Sequence, residues 1–120
     1  MSITFEHVVF DCADAAALAG FWAGVLERPV DDEASEHFAT VGMPTRGQGP
    51  VPVFMFIAVP EERAGKNRLH VDLGAADREA EVARVVALGA THVGDFDEYG
   101  ARWTTLADPE GNVFDVAQTA

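Results

Sequence analysis

The stretch that most limits what this chain can fold into is one it contains twice. EHVVFDCADAAALAGFWAGVLER near the start returns in the second half as RLHVDLGAADREAEVARVVALGA. With His7 placed on His70 the offset is 70 − 7 = 63 residues, and the same offset places Asp14 on Asp77, since 77 − 14 = 63. In each copy a His opens a short β-rich run of alternating character. An Asp stands seven residues later where it can cap a helix, and about a dozen helix-compatible residues follow. A βα unit used twice calls for two like modules. At 120 residues the chain has the usual size of one domain, able to bury roughly two thirds of its unfolded surface. We therefore read a single domain over 1–120, with module 1 at about 1–60 and module 2 at about 67–120.

In the first copy, Ile3 to Cys12 (ITFEHVVFDC) suits a strand, with Val8 and Phe10 on one face and Phe5, His7, Val9 and Asp11 on the other. Asp14 is placed to cap a helix over Ala15 to Glu27, whose Leu18, Phe21, Trp22, Val25 and Leu26 recur at helical spacing and should turn onto the sheet. Pro29 ends the helical region, the acidic run Asp31, Asp32, Glu33 reads as a solvated face, and His37 to Val41 reads as a short strand. GMPTRGQGPVP, from Gly42 to Pro52, holds three Gly and three Pro and is expected to be a loop, a candidate lid or pocket rim. Val53 to Val59 (VFMFIAV) is the strongest strand, apolar on both faces and so expected to be covered on both.

A polar turn region from Pro60 to Lys66 leads to the second copy. Arg68 to Leu73 reads as a strand with His70 and Asp72 on one face. Asp77 then caps a helix with Glu79 and Glu81 near its positive end, Val82, Val85, Val86 and Leu88 along its apolar side, and Gly89 as its stop. Ala101 to Ala107 reads as a strand, Asp108-Pro109-Glu110-Gly111 as a type I turn, and Asn112 to Ala117 as a closing strand with Val113, Asp115 and Ala117 on one face. Two helices and about eight strands in two βαβββ modules predict an α+β fold. Its curved mixed sheets, each backed on the outside by a helix, should curl around a common cup.

Composition removes several function classes. Twenty acids against eight bases give a net charge of −12, which would repel a phosphate backbone, so nucleic acid is not expected as a partner. No segment approaches the roughly 18 apolar residues of a membrane span, and no basic-then-apolar leader is present, so no membrane association and a cytoplasmic location are expected. Cys12 is the lone cysteine, which leaves no intrachain disulfide and suits a buried small hydrophobe.

HVVFDCAD in the first strand, the Phe21-Trp22 pair in the first helix, KNRLHVD at the restart and ADPEGNVFDV at the end follow one another in an order that resembles the vicinal oxygen chelate superfamily. That superfamily holds glyoxalase I, extradiol dioxygenases and bleomycin-resistance proteins; KNRLHVD with DPEGN looks especially like the small bacterial glyoxalase-like proteins. The resemblance implies metal ligands from the first and last strands of each module. His7, His70 and Asp115 match three of those positions, and Ile57, which cannot bind a metal, stands at the fourth. Two His and one carboxylate can hold Fe, Mn, Ni or Zn with positions left open. The resemblance also implies a cup lined by Phe5, Val9, Val53, Met55, Ile57, Asp72, Trp103 and Val113, mostly apolar and suited to a small hydrophobic or aromatic ligand.

Three readings of function follow. The first is a metal-dependent lyase, isomerase or dioxygenase; the second is a metal-free protein that sequesters a small molecule, as bleomycin-resistance proteins do, with the negative charge favouring a cationic one. The third is a metal-free isomerase or lyase using Asp72 or Asp11 as a base. No catalytic residue is assigned, and glyoxalase I activity itself is not expected, because Ile57 removes one ligand and Asp115 is a methylene shorter than the usual Glu. His37 and His92 match no ligand position and read as surface or turn residues. Modules in this superfamily often pair across a dimer, so a homodimer is expected, with a cup formed within one chain or between two.

Overall fold

The computed structural model of the chain describes residues 2–119. It divides between Glu62 and Arg63 into two units. The first holds β1 (His7–Cys12), α1 (Ala15–Leu26), β2 (Phe38–Val41), a 3-10 turn (Met43–Thr45) and β3 (Val53–Ala58). Its strand order is β1-β3-β2, with β1 parallel and β2 antiparallel to the central β3. β1 begins at His7 rather than Ile3 because the first ladder pair is His7 with Val53. The residue before that partner is Pro52, which has no N–H to extend the ladder.

Period 2 then sorts the side chains. The rows Phe10–Phe56–Ala39 and Val8–Phe54–Val41 share one face. On that face the Phe10 ring lies 5.3 Å from Trp22, 5.6 Å from Phe54 and 5.1 Å from Phe56, and Trp22 lies 5.7 Å from Phe54. Trp22 comes from α1, whose Asp14 carboxylate accepts from the N–H of Ala17 at 3.1 Å and whose end is turned by Glu27 at φ 55°. The opposite face is less covered than its apolar sequence predicts. Ile57 is 36% exposed because its row neighbours, Asp11 and Phe38, are themselves exposed.

The acidic run is also more than a solvated face. The Asp31 carboxylate accepts the Thr40 hydroxyl at 2.7 Å and the N–H groups of Gly42 and Met43 at 3.3 and 2.8 Å, so it pins the start of the Gly/Pro loop. Gly42 sits at φ 95° with the Arg28 guanidinium 2.7 Å from where a Cβ would stand, a place only Gly can occupy without displacing Arg28.

The second unit holds β4 (Asp72–Ala75), α2 (Arg78–Leu88), β5 (Thr91–Glu98), β6 (Ala101–Ala107) and β7 (Val113–Gln118) in the order β4-β7-β6-β5, with only the β4–β7 pair parallel. Both units are thus mixed sheets accompanied by one helix, an α+β arrangement. Among the described residues there are seven strands rather than about eight, because the Gly/Pro loop of the first unit adds only its 3-10 turn. β5 runs on to Glu98 and joins β6 through Tyr99 and Gly100, both at positive φ, the signature of a tight two-residue hairpin. On α2 only Val85 is fully buried. Val86 and Leu88, expected to share its apolar side, are exposed.

Thr104, Leu106, Phe114 and Val116 form the buried face of this sheet. Arg78, the first residue of α2, donates to the Thr104 hydroxyl at 2.5 Å, and that hydroxyl donates to Asp95 at 2.7 Å. His92 lies 3.2 Å from the other oxygen of Asp95. It is a strand residue with an acidic partner, not a turn residue. The Thr104 hydrogen bond first, then that of His92, hold the Asp95 carboxyl below its ordinary value of 3.8, against desolvation and with help from the charges of His92 and Arg78. The native state therefore binds this proton less tightly than the unfolded chain does. Its stabilisation is complete above pH 3.8 and is lost as pH falls through the lower native value. Acid unfolding of Asp95→Asn followed by circular dichroism should lack that part of the pH dependence; an unchanged acid limb would contradict it.

The DPEGN turn has the geometry its sequence predicts, with the Gly111 N–H donating to the Asp108 carbonyl at 2.8 Å. Asp108 is 3% exposed, and its carboxylate accepts the N–H groups of Glu110 and Asn112, both at 2.9 Å, and the Asn112 side-chain amide at 3.2 Å. Asp108→Ala strands those donors and should cost about 2–4 kcal/mol in urea denaturation. A loss below about 1 kcal/mol would show that the turn is held by its backbone alone.

Candidate metal centre

β7 alternates its side chains, so Asp115 shares with Val113 and Ala117 the face opposite Phe114 and Val116. Register then assembles its surroundings. Asp72 on β4 and Thr105 on β6 stand directly beside Asp115, and the next row carries Gly74, Ala117, Trp103 and Phe96. Trp103 and Phe96 stack with ring centres 5.3 Å apart. The face therefore offers one polar row beside an aromatic one.

His70 reaches this row by an unexpected route. The strand expected from Arg68 starts only at Asp72, because the Asn67 side chain occupies the ladder groups of Val113. Its amide oxygen accepts the Val113 N–H at 2.8 Å, and its NH2 donates to the carbonyls of Leu69 and Val113 at 2.6 and 3.3 Å. The backbone ladder resumes where the Asp115 N–H donates to the Val71 carbonyl at 3.1 Å. Held this way, the His70 ring lies with Nδ1 2.9 Å from Asp72 Oδ1 and 3.9 Å from Asp115 Oδ2.

The Thr105 hydroxyl donates to the other oxygen of Asp115 at 2.6 Å. One ligand atom from each of His70, Asp72 and Asp115 lies within 4.8 Å of the other two. Their side chains are 41%, 64% and 19% exposed, so Asp115 is the sheltered carboxylate and the group is open to solvent. An imidazole with carboxylate oxygens is a donor set suited to Mn, Fe, Ni or Zn.

In the first unit His7 opens β1, and its Nε2 is shielded from water with no hydrogen-bond partner among the described residues. A buried nitrogen left unsatisfied is costly, and a metal ion is one partner that would remove the cost. The ladder of the first unit gives the surroundings of the expected fourth position. Asp72 pairs with Asp115, and the 63-residue repeat puts Asp72 on Val9 (72 − 63 = 9), whose ladder partner is Met55. By register Met55 corresponds to Asp115, and Ile57, the fourth position that the resemblance implies, stands two residues along the same face; neither offers a carboxylate.

Of the remaining expected lining residues, Val9, Val53 and Met55 share the face of β1 and β3 that carries His7, and Trp103 and Val113 share the face of Asp115. Phe5 lies before β1, 77% exposed and outside the ladder. His37 is an exposed residue beside Glu36. Asn67 and Thr105, which steady His70 and Asp115, carry no signal in the sequence pattern, because the Asn67 contact depends on a strand 46 residues away.

A family model described as glyoxalase-like domain matches residues 7–117. The chain belongs to this family. No curated protein matches this glyoxalase-like chain. Among solved structures it is similar to a glyoxalase/bleomycin resistance protein/dioxygenase family enzyme from Burkholderia phytofirmans PsJN, at 20% identity and a TM-score of 0.75, over 96% of this chain and 98% of that one. It is also similar to the fosfomycin resistance protein FosX from Listeria monocytogenes, at 10% identity and a TM-score of 0.74, over 100% and 96% of the two chains. A variant of that FosX, solved with Mn(II) and 1S,2S-dihydroxypropylphosphonic acid, gives 10% identity and a TM-score of 0.76 over 100% and 93%. At such identities the likeness is one of fold, and it is the vicinal oxygen chelate fold that the motifs resemble.

Proposed function

We propose that this glyoxalase-like protein holds one divalent metal ion on its second unit, with His70 and Asp115 as donors, and binds a small hydrophobic or aromatic molecule beside it. The observation that carries the reading is the polar row itself. His70 and a sheltered Asp115 stand within 3.9 Å, and Thr105 ties down one carboxylate oxygen while the other faces the ring. In the first unit, the correspondence of His7 with His70 in the repeat and a His7 Nε2 without a partner among the described residues make His7 a candidate metal donor in its own right. A bound ion would act as a Lewis acid toward adjacent substrate oxygens, the chemistry of a lyase, isomerase or dioxygenase. The protein's own part is to fix the donors, and to offer Trp103 and Phe96 as an apolar surface for the ligand's body. Elemental analysis of protein purified without chelators should find close to one such ion per chain; metal-free protein that also takes up none from Mn(II), Ni(II), Fe(II) or Zn(II) would reject the reading.

A second reading, a metal-free protein that sequesters a cationic amine, is favoured by the stacked Trp103–Phe96 pair and the net charge of −12. It predicts a thermal shift with bulky amines that weakens at high salt, and no shift across a panel at low salt counts against it. Under either reading we take the protein to be a cytoplasmic homodimer that binds no nucleic acid. The exposed Ile3, Phe5 and Leu69 support self-association. Sedimentation at tens of micromolar should give twice 12.8 kDa, and 12.8 kDa alone would contradict the dimer.

A further inference from the structure

We infer that Asp72 is a positioning residue that holds the Nδ1–H of His70 and so leaves Nε2 as the ring nitrogen with a free lone pair. An ionised carboxylate can only accept a hydrogen bond, so the nitrogen 2.9 Å from Asp72 Oδ1 must carry the proton when the ring is neutral. The lone pair is then on Nε2. Asp115 does not compete for this proton, because its Oδ2 stands 3.9 Å from Nδ1, within reach of charge but beyond a hydrogen bond.

The two donors are held in the same manner. Asp115 has one oxygen occupied by Thr105 and one left over, and His70 has one nitrogen occupied by Asp72 and one left over. Such a carboxylate–histidine contact fixes both the tautomer and the ring orientation. Asp72 can do this because the β4–β7 ladder places its backbone beside Asp115, while its side chain, 64% exposed, makes no other hydrogen bond among the described contacts. An open imidazole without that partner favours Nε2–H, the form that blocks Nε2 as a donor.

The consequence for affinity rests on the metal reading above; the tautomer does not. Long-range 1H–15N correlation spectra of the metal-free, 15N-labelled full chain, recorded with the imidazole neutral, should show His70 protonated on Nδ1. Asp72→Ala should move it to Nε2–H and weaken Ni(II) binding by about 10–100-fold in calorimetry. Asp72→Asn keeps an accepting oxygen and should restore much of the Nδ1–H form. His70 on Nε2–H in the wild type, or an Asp72→Ala protein with unchanged tautomer, overturns the inference even where Ni(II) binds normally. A tautomer switch in a wild type that takes up no Ni(II) supports Asp72's hold on the ring and overturns the metal reading instead.

Discussion

Trp22→Ala is expected to destabilise the protein by about 3–5 kcal/mol, a large share of the roughly 5–15 kcal/mol by which a domain of this size is stable. Trp22 is 1% exposed, and its ring sits within 5.3 to 5.7 Å of Phe10, Phe21 and Phe54. These contacts join α1 to two adjacent strands, β1 and β3. Truncation removes the transfer free energy of the indole and leaves a cavity whose walls are rings on a hydrogen-bonded sheet, which relax only in part. Urea denaturation followed by far-UV circular dichroism measures the loss. Val86→Ala on the exposed side of α2 should cost about 0.5 kcal/mol or less by comparison. A Trp22→Ala protein within about 1 kcal/mol of wild type would show that the α1 face is not the core of the first unit.

His70→Ala and Asp115→Ala should each weaken divalent-metal binding by more than about 100-fold, beyond the roughly 10–100-fold typical of an orienting partner. Thr105→Val removes only the hydroxyl that steadies Asp115, so about a tenfold loss is expected there. Calorimetric titration with Ni(II) or Zn(II) reads all three variants. Uptake by His70→Ala equal to wild type would reject the assignment, whatever the fold. The His70 side chain is 41% exposed, so unfolding does not confuse its result in the way it would for Trp22.

What could be read from the sequence depended on how local the determining contact is. The helix α1, with its Asp14 cap and the Phe21-Trp22 stripe, is set by neighbours within a few residues, and the structure has it where the periodicity places it, whereas the start of β1 depends on its ladder partner. His70 and Asp115 could be placed on one face because strand alternation is a local rule. Asp72 follows from the same rule, two residues from His70. Asn67 and Thr105 do not: they act through register between β4, β6 and β7, which one strand's pattern does not reveal. The resemblance implies Ile57 as the fourth position, and strand register adds its surroundings: Ile57 pairs with Asp11, and Met55, two residues along the same face, pairs with Val9. The far half of β5 was illegible for another reason. It is an edge strand, exposed on nearly every residue, and DFDE carries too few apolar residues to alternate.

The central claim is that one metal ion sits at the polar row of the second unit. Titration of the 15N-labelled protein with Mn(II), a paramagnetic ion, tests it most directly, since amide signals near the ion broaden first. Broadening should begin at His70, Asp72, Thr105 and Asp115, saturate at one ion per chain, and spare Asp108 and α2. Broadening that starts elsewhere on this acidic surface, or spreads over it without saturating, would contradict the claim.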